Sequence, residues 1–121
     1  MGHIDLTAVN ADLGRNAPAL VQWALGLGKT SIVTTNFRPF EAVILHMVTQ
    51  VNPKVPVVWM DNGYNTEATY RFADEVTKQL GLNLRIYLPR RSRAHREALE
   101  GATPALDDPR HAAFTEEVKL E

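Results

Sequence analysis

The sequence contains no cysteine. Within this chain that absence excludes disulfides, thiolate metal sites, iron–sulfur clusters and thiol nucleophiles. Net charge is nearly absent as well: 13 basic residues stand against 14 acidic ones, a formal charge of −1. No broad field draws a nucleic acid or an anionic membrane, so an anionic ligand must be met by a local site. No apolar run approaches the roughly 18 residues that cross a bilayer, and the opening MGHIDLTAVN lacks the basic-then-apolar pattern of a secretory leader. The expectation is a cytoplasmic, soluble protein with neither a nucleic-acid nor a membrane partner. Glycine-rich phosphate cradles are missing, and so are GxSxG, HExxH and any close pair of carboxylates. No catalytic residue, metal ligand set or cofactor is therefore assigned.

What is present is one small α/β domain. At 121 residues, 45% of them hydrophobic, the chain suits a single core spanning residues 1–121. Leu6, Val9 and Leu13 recur at helical spacing between a capping Asp5 and Gly14. A second helix begins near Asn16, carries Pro18 in its first turn, and sets Leu20, Trp23, Ala24 and Leu27 on one face. Both are expected to lie against a sheet, with Trp23 in the core.

The central stretch is a βαβ unit, Ser31 to Tyr64. SIVTT reads as a strand, and Asn36 and Pro39 as the start of a helix. Phe40, Val43, Ile44, Met47, Val48 and Val51 then form an apolar face expected to lie on the sheet, with His46 on the solvated side. VPVVWM is apolar without alternation, the pattern of a central strand covered on both faces. After the turn DNGYN, a helix from Asn65 or Thr66 to Leu80 presents Thr69, Phe72, Ala73, Val76 and Leu80, and Gly81 stops it. Leu82 to Leu88 alternate as a strand nearer the sheet edge. With the fully apolar VPVVWM in the middle, right-handed crossovers put SIVTT on one side of it and LNLRIYLP on the other. Ser92 opens a charged helix on which Ala94, Ala98 and Leu99 are the only apolar stripe, and HAAFTEEVKLE reads as a terminal helix. Arg90 and Arg91 have two readings, a phosphate or sulfate contact and a plain solvated surface; Arg93 and Arg96 read as solvated.

Loops after parallel strands meet at the carboxyl end of the sheet, where open α/β folds hold ligands. The loop Asn36 to Pro39 offers free backbone N–H groups at a helix start, with Thr34, Thr35 and Arg38 adding hydroxyls and a cation for an anion. Asp61 is the one acid placed at a strand end facing the same cleft, able to orient a ribose or merely to close the turn through Gly63.

The order strand, threonine-rich loop, EAVILHMV helix, VPVVWMDNGY, TYRFADEV helix and LNLRIYLP strand resembles the phosphoadenylyl-sulfate and adenylyl-sulfate reductases, members of the adenine nucleotide α-hydrolase-like fold. The likeness covers nearly the whole chain and is most specific at Asp61-Asn62-Gly63-Tyr64 followed by Thr69-Tyr70 and Phe72, similar to the family's Asp-Thr-Gly-Tyr and Glu-Thr-Tyr. Asn62 replaces the threonine and Ala68 the glutamate. The resemblance implies a Rossmann-like, three-layer α/β/α fold with a short parallel sheet. It also implies a role in assimilatory sulfate reduction and an adenosine phosphosulfate-type nucleotide across the strand ends. Its adenine would lie near Trp59 and Met60, and the implied binding set runs over Thr34, Thr35, Asn36, Phe37, Arg38, Trp59, Met60, Asp61, Gly63 and Tyr64. The family's Ser-Phe-Gly aligns with Asn36-Phe37-Arg38, so a bulky cation stands where glycine lets the backbone approach the phosphosulfate.

In the resembled family the reducing group is a C-terminal cysteine served by thioredoxin or glutaredoxin, and some members carry an iron–sulfur cluster. None of those cysteines is here. The expectation is a truncated domain of weak or lost nucleotide affinity, without the family's thiol chemistry; thioredoxin or glutaredoxin would serve only a full-length relative. A rival reading from another class is a structural or interaction protein that forms a homodimer through an open edge of SIVTT. An active pyrophosphate-cleaving enzyme is a third, and it needs a metal and carboxylates that the sequence does not supply.

Overall fold

The computed structural model describes residues 4–120. Two short helices lead in. Asp5 caps the first, α1 (Leu6–Leu13), by accepting from the Ala8 N–H at 3.1 Å, and Asn16 caps α2 (Ala17–Leu25) by accepting from the Ala19 N–H at 3.2 Å. Neither helix holds a fully buried residue. They do not lie against the sheet as expected: α1 packs on α2 and α2 on the next helix, so Trp23 is only half-buried.

The sheet has three parallel strands in the order β1 (Val33–Thr34), β2 (Pro56–Met60), β3 (Asn83–Tyr87). The register pairs Val33 with Val57 on one side of β2, and Pro56 with Asn83 through Met60 with Tyr87 on the other. This is the order expected with VPVVWM in the middle. β1 is shorter than SIVTT because Ser31 and Ile32 have no pairing with β2, although Thr35 N still donates to Val58 O at 3.0 Å.

Helices α3 (Glu41–Val51) and α4 (Glu67–Leu80) cover one face of the sheet. The core there gathers Phe37, Leu45, Val57, Trp59, Ala73, Val76 and Leu82. α4 buries the face its spacing predicts and ends at Gly81, whose φ of 62° is the left-handed stop that glycine adopts without strain. α3 does not bury its predicted face. Leu45, 1% exposed, Val48 and Thr49 point inward, while Phe40, 89% exposed, Val43, Ile44 and Val51 face out. The helix is apolar around most of its girth, so spacing alone does not choose a face.

β2 is likewise not covered evenly. Val57 and Trp59 are buried against the helices, but on the other face Met60 is 62% exposed. That second face is closed only at the strands' carboxyl ends, by the segment after β3. Ser92 caps α5 (Arg93–Glu100), and α6 (His111–Thr115) runs into a single π-helical turn, Glu116–Leu120. Glu121, the last residue of the expected terminal helix, lies outside the described residues. Between this segment and the strands runs an apolar groove of about 720 Å³, floored by Ile32, Val58, Met60 and Tyr87. The fold is α/β, with a parallel sheet, a full helical layer on one face and a partial one on the other.

Candidate functional site

The first mouth of the βαβ unit is tightly self-bonded. Pro39 and Phe40 turn the chain so that Glu41 N donates to Arg38 O at 2.9 Å, and α3 starts there with no side-chain cap from Asn36. Glu41 does the capping instead. Its carboxylate reaches back to accept from Arg38 N at 2.7 Å and from Asn36 N at 3.3 Å, as the second arm of a capping box does. The N–H between them, on Phe37, donates to Thr35 Oγ1 at 3.0 Å. The free backbone N–H groups expected from the sequence are therefore engaged within the loop. Phe37 holds a φ of 55°, uncommon for a bulky residue, and its ring is buried edge-on against Trp59 with centroids 5.0 Å apart. Packing energy and the Thr35 bond hold this strained residue in place.

The second mouth is built on Asp61. Its backbone N–H extends the β3 ladder by donating to Tyr87 O at 2.9 Å, and its side chain is buried. Oδ1 accepts from three donors: Gly63 N at 2.9 Å, Asn65 Nδ2 at 2.9 Å and Tyr70 Oη at 2.8 Å. Gly63 closes the turn with a φ of 85°. Burial, and next the Asp61 carboxylate to which it donates, raise the Tyr70 phenol above its ordinary value. Asn62 repeats the motif one residue on, accepting from Tyr64 N at 2.8 Å.

Between the mouths lies a polar cleft of about 460 Å³ at the carboxyl ends of β1 and β2. Of the residues singled out in the sequence, Asn36, Phe37, Arg38, Trp59 and Met60 line it together. Trp59 is 4% exposed and covered by Phe37 and by Tyr70, 5.7 Å away between centroids, so it forms a wall and not a stacking platform. Met60 presents an exposed thioether. Thr34, Thr35, Asp61, Gly63 and Tyr64 are not in the cleft lining. Thr35 and Asp61 support the two loops from beneath, Asp61 also borders the apolar groove, and Tyr64 turns away to pack on Phe114, with the Arg93 guanidinium 4.9 Å from its ring centre.

Sequence reasoning missed Asn62, Asn65, Thr69 and Lys119 as lining residues, and Glu41 as the group that organises the loop. A glutamate three residues past a turn was the available signal for Glu41. Lys119 had none, since only the folded terminal segment brings it to the strand ends. Arg38 and Lys119 make no ion pair among the described residues. Three of the arginines after β3 are otherwise employed: Arg91 grips Glu117 at 2.7 Å and Glu100 at 2.8 Å, the buried Arg96 pairs with the same two acids, and Arg93 pairs with Glu97, while Arg90 makes no ion pair among the described residues. Arg91 thus fits neither of its two readings, being held in an internal ion pair, and Arg96, read as solvated, is buried because its guanidinium is neutralised by the same two acids. Among the described residues no group of three or more His, Asp or Glu side chains could hold a metal, and no helix is long and apolar enough to cross a membrane.

Residues 30–119 match a family model described as the phosphoadenosine phosphosulfate reductase domain. The chain is 45% identical over 98 residues to the phosphoadenosine 5′-phosphosulfate reductase of a Synechococcus strain, covering 79% of this chain and 42% of that one. It is 44% identical over 99 residues to the same-named protein of Xanthomonas euvesicatoria, covering 80% and 41%. The chain thus spans about two fifths of the length of the curated relatives it matches. In structure it is similar to phosphoadenylyl-sulfate reductase from Candida auris, solved as a phosphate complex, with a TM-score of 0.78, 23% identity, and coverage of 98% of this chain and 61% of that one.

Proposed function

From the premise that the chain belongs to the phosphoadenosine phosphosulfate reductase family, we propose that it is a nucleotide-holding domain of assimilatory sulfate reduction, acting in the cytoplasm and binding an adenosine phosphosulfate-type nucleotide in the cleft between its two loops. The observation that carries this reading is the cleft itself. It lies at the carboxyl ends of parallel strands, the usual ligand position of open α/β sheets. Arg38 and Lys119 bring positive charge to it, and Asn62, Asn65 and Thr69 bring neutral polar groups suited to a sugar or a base edge. The exposed side of Met60 gives an apolar floor for adenine, with the buried Trp59 as a wall behind it.

The chain has no thiol, so the electron-donating cysteine of a reductase cannot come from these residues. As this chain stands we take it to bind without reducing, and thioredoxin or glutaredoxin to act only with a longer relative. Titration with adenosine 3′,5′-bisphosphate or adenylyl sulfate, followed by backbone amide shifts, tests the binding. Shifts are expected at Asn36 to Arg38, Met60 and Asn62; none at millimolar ligand would end this reading.

A second reading is supported by the sheet edge. β1 is paired only with β2 among the described residues, and Ile32 beside it is exposed. A second copy pairing there would give a homodimer.

A further inference from the structure

We propose that Glu41 is a built-in anion that occupies the loop's backbone donors, so that an anionic ligand in the cleft is met through the side chains of Arg38 and Lys119 unless Glu41 is displaced. The inference rests on the cleft being the nucleotide site, and deepens that reading by naming the residue that decides how the charged end of the ligand is held.

The argument is one of donor accounting. A peptide loop at a strand–helix junction grips an oxyanion by pointing successive N–H groups at it. Here three successive N–H groups, on Asn36, Phe37 and Arg38, are all bonded inside the loop, and Pro39 has none to offer. Two of the three bonds end on Glu41, and the 2.7 Å bond from Arg38 N has the length of a charge-assisted contact. A phosphate or sulfate cannot use the Asn36 and Arg38 amides while that carboxylate holds them, and it would meet like charge in approaching. The side chains of Arg38 and Lys119 are not committed in this way. They line the same cleft and make no ion pair among the described residues. Glu41 is thus a positioning residue that keeps the loop in shape and lowers its affinity for anions.

Glu41→Gln keeps the shape and removes the charge; Glu41→Ala removes the carboxylate outright. Each is compared with the unaltered chain in titrations with inorganic sulfate, adenosine 3′,5′-bisphosphate and uncharged adenosine, read at the amides of Asn36 and Arg38, with a melting curve to verify folding. Sulfate and the bisphosphate are expected to bind about tenfold more tightly to the variants, with larger shifts at those two amides than in the unaltered chain, while adenosine binds all three proteins alike. Equal or weaker anion affinity in both variants overturns the proposal. If the bisphosphate binds every form equally, Glu41 is no gate but the nucleotide reading stands. If sulfate gains while adenosine and the bisphosphate shift nothing, the gate stands and the nucleotide reading falls. Silence from every ligand in every form overturns both.

Discussion

Three donors converge on one oxygen of Asp61, and that convergence joins the two loops of the cleft. Tyr70, which donates to Asp61, also packs on Trp59, and Trp59 packs on Phe37 in the other loop. Replacing Asp61 with alanine leaves the Gly63 N–H, the Asn65 amide and the Tyr70 hydroxyl without their acceptor in a partly buried setting. We expect a loss of about 3 kcal/mol in unfolding free energy, measured by urea denaturation. Asp61→Asn should lose less than half of that, because its amide oxygen still accepts from the same donors. Equal losses in the two variants would show that the charge, and not the acceptor geometry, is what the site uses. The importance of Asp61 was legible in the sequence, since an acid follows a strand and precedes Asn-Gly. Its role was not. An acid facing a cleft and an acid buried under a turn have the same local sequence, and only Tyr70, nine residues on, distinguishes them.

At the scale of elements, α5 is held by charge and not by its predicted apolar stripe, while the rest of the segment after β3 also buries Phe114 and Val118. α5 buries Arg96, 6% exposed, while Leu99 of its predicted stripe is exposed. Arg91 donates to both oxygens of Glu117, at 2.7 and 2.8 Å, and Arg96 adds a further bond, so the π-helical turn is clamped to α5. The bonds from Arg91, and after them those from Arg96, hold the Glu117 carboxyl at about 2, against an ordinary 4.5. A carboxyl depressed in the folded state contributes stability that is complete above its ordinary value and is lost as the pH falls through the depressed one. The clamp should therefore weaken between about pH 4.5 and pH 2. Melting temperatures across that interval should fall more steeply for the unaltered chain than for Glu117→Gln, which has already lost the charge; parallel curves would assign the acid loss elsewhere. Helical spacing gave no warning of this clamp, because Arg93 and Arg96 read as solvated, and Arg90 and Arg91 as either an anion contact or solvated surface. α4 was legible throughout, since its apolar residues occupy one stripe only. α3 was not: with Val43, Ile44, Leu45, Met47, Val48 and Val51 around its girth, several faces satisfy the same period, and tertiary packing chose the one carrying Leu45.

For the molecule as a whole, strand order was readable because a fully apolar strand belongs in the middle, with the strands before and after it on either side. What covers the sheet's second face was not readable. β2 looks buried on both sides, yet Pro56, Val58 and Met60 floor an open groove. Ile32 and Thr30, just before β1, line the same groove. A second copy joining at β1 would continue the ladder from its unpaired groups and shade Ile32, which is more than half exposed. On this geometry we expect sedimentation to show a mass that rises from monomer toward dimer with concentration. Ile32→Lys places a charge beside the edge, where it opposes strand addition, and being exposed it should leave the melting temperature within a few degrees. The variant should then hold a monomer mass at concentrations where the unaltered chain pairs. A monomer mass at every concentration for the unaltered chain, or pairing undiminished by the lysine, would remove β1 as the interface and leave the edge as solvent-facing backbone.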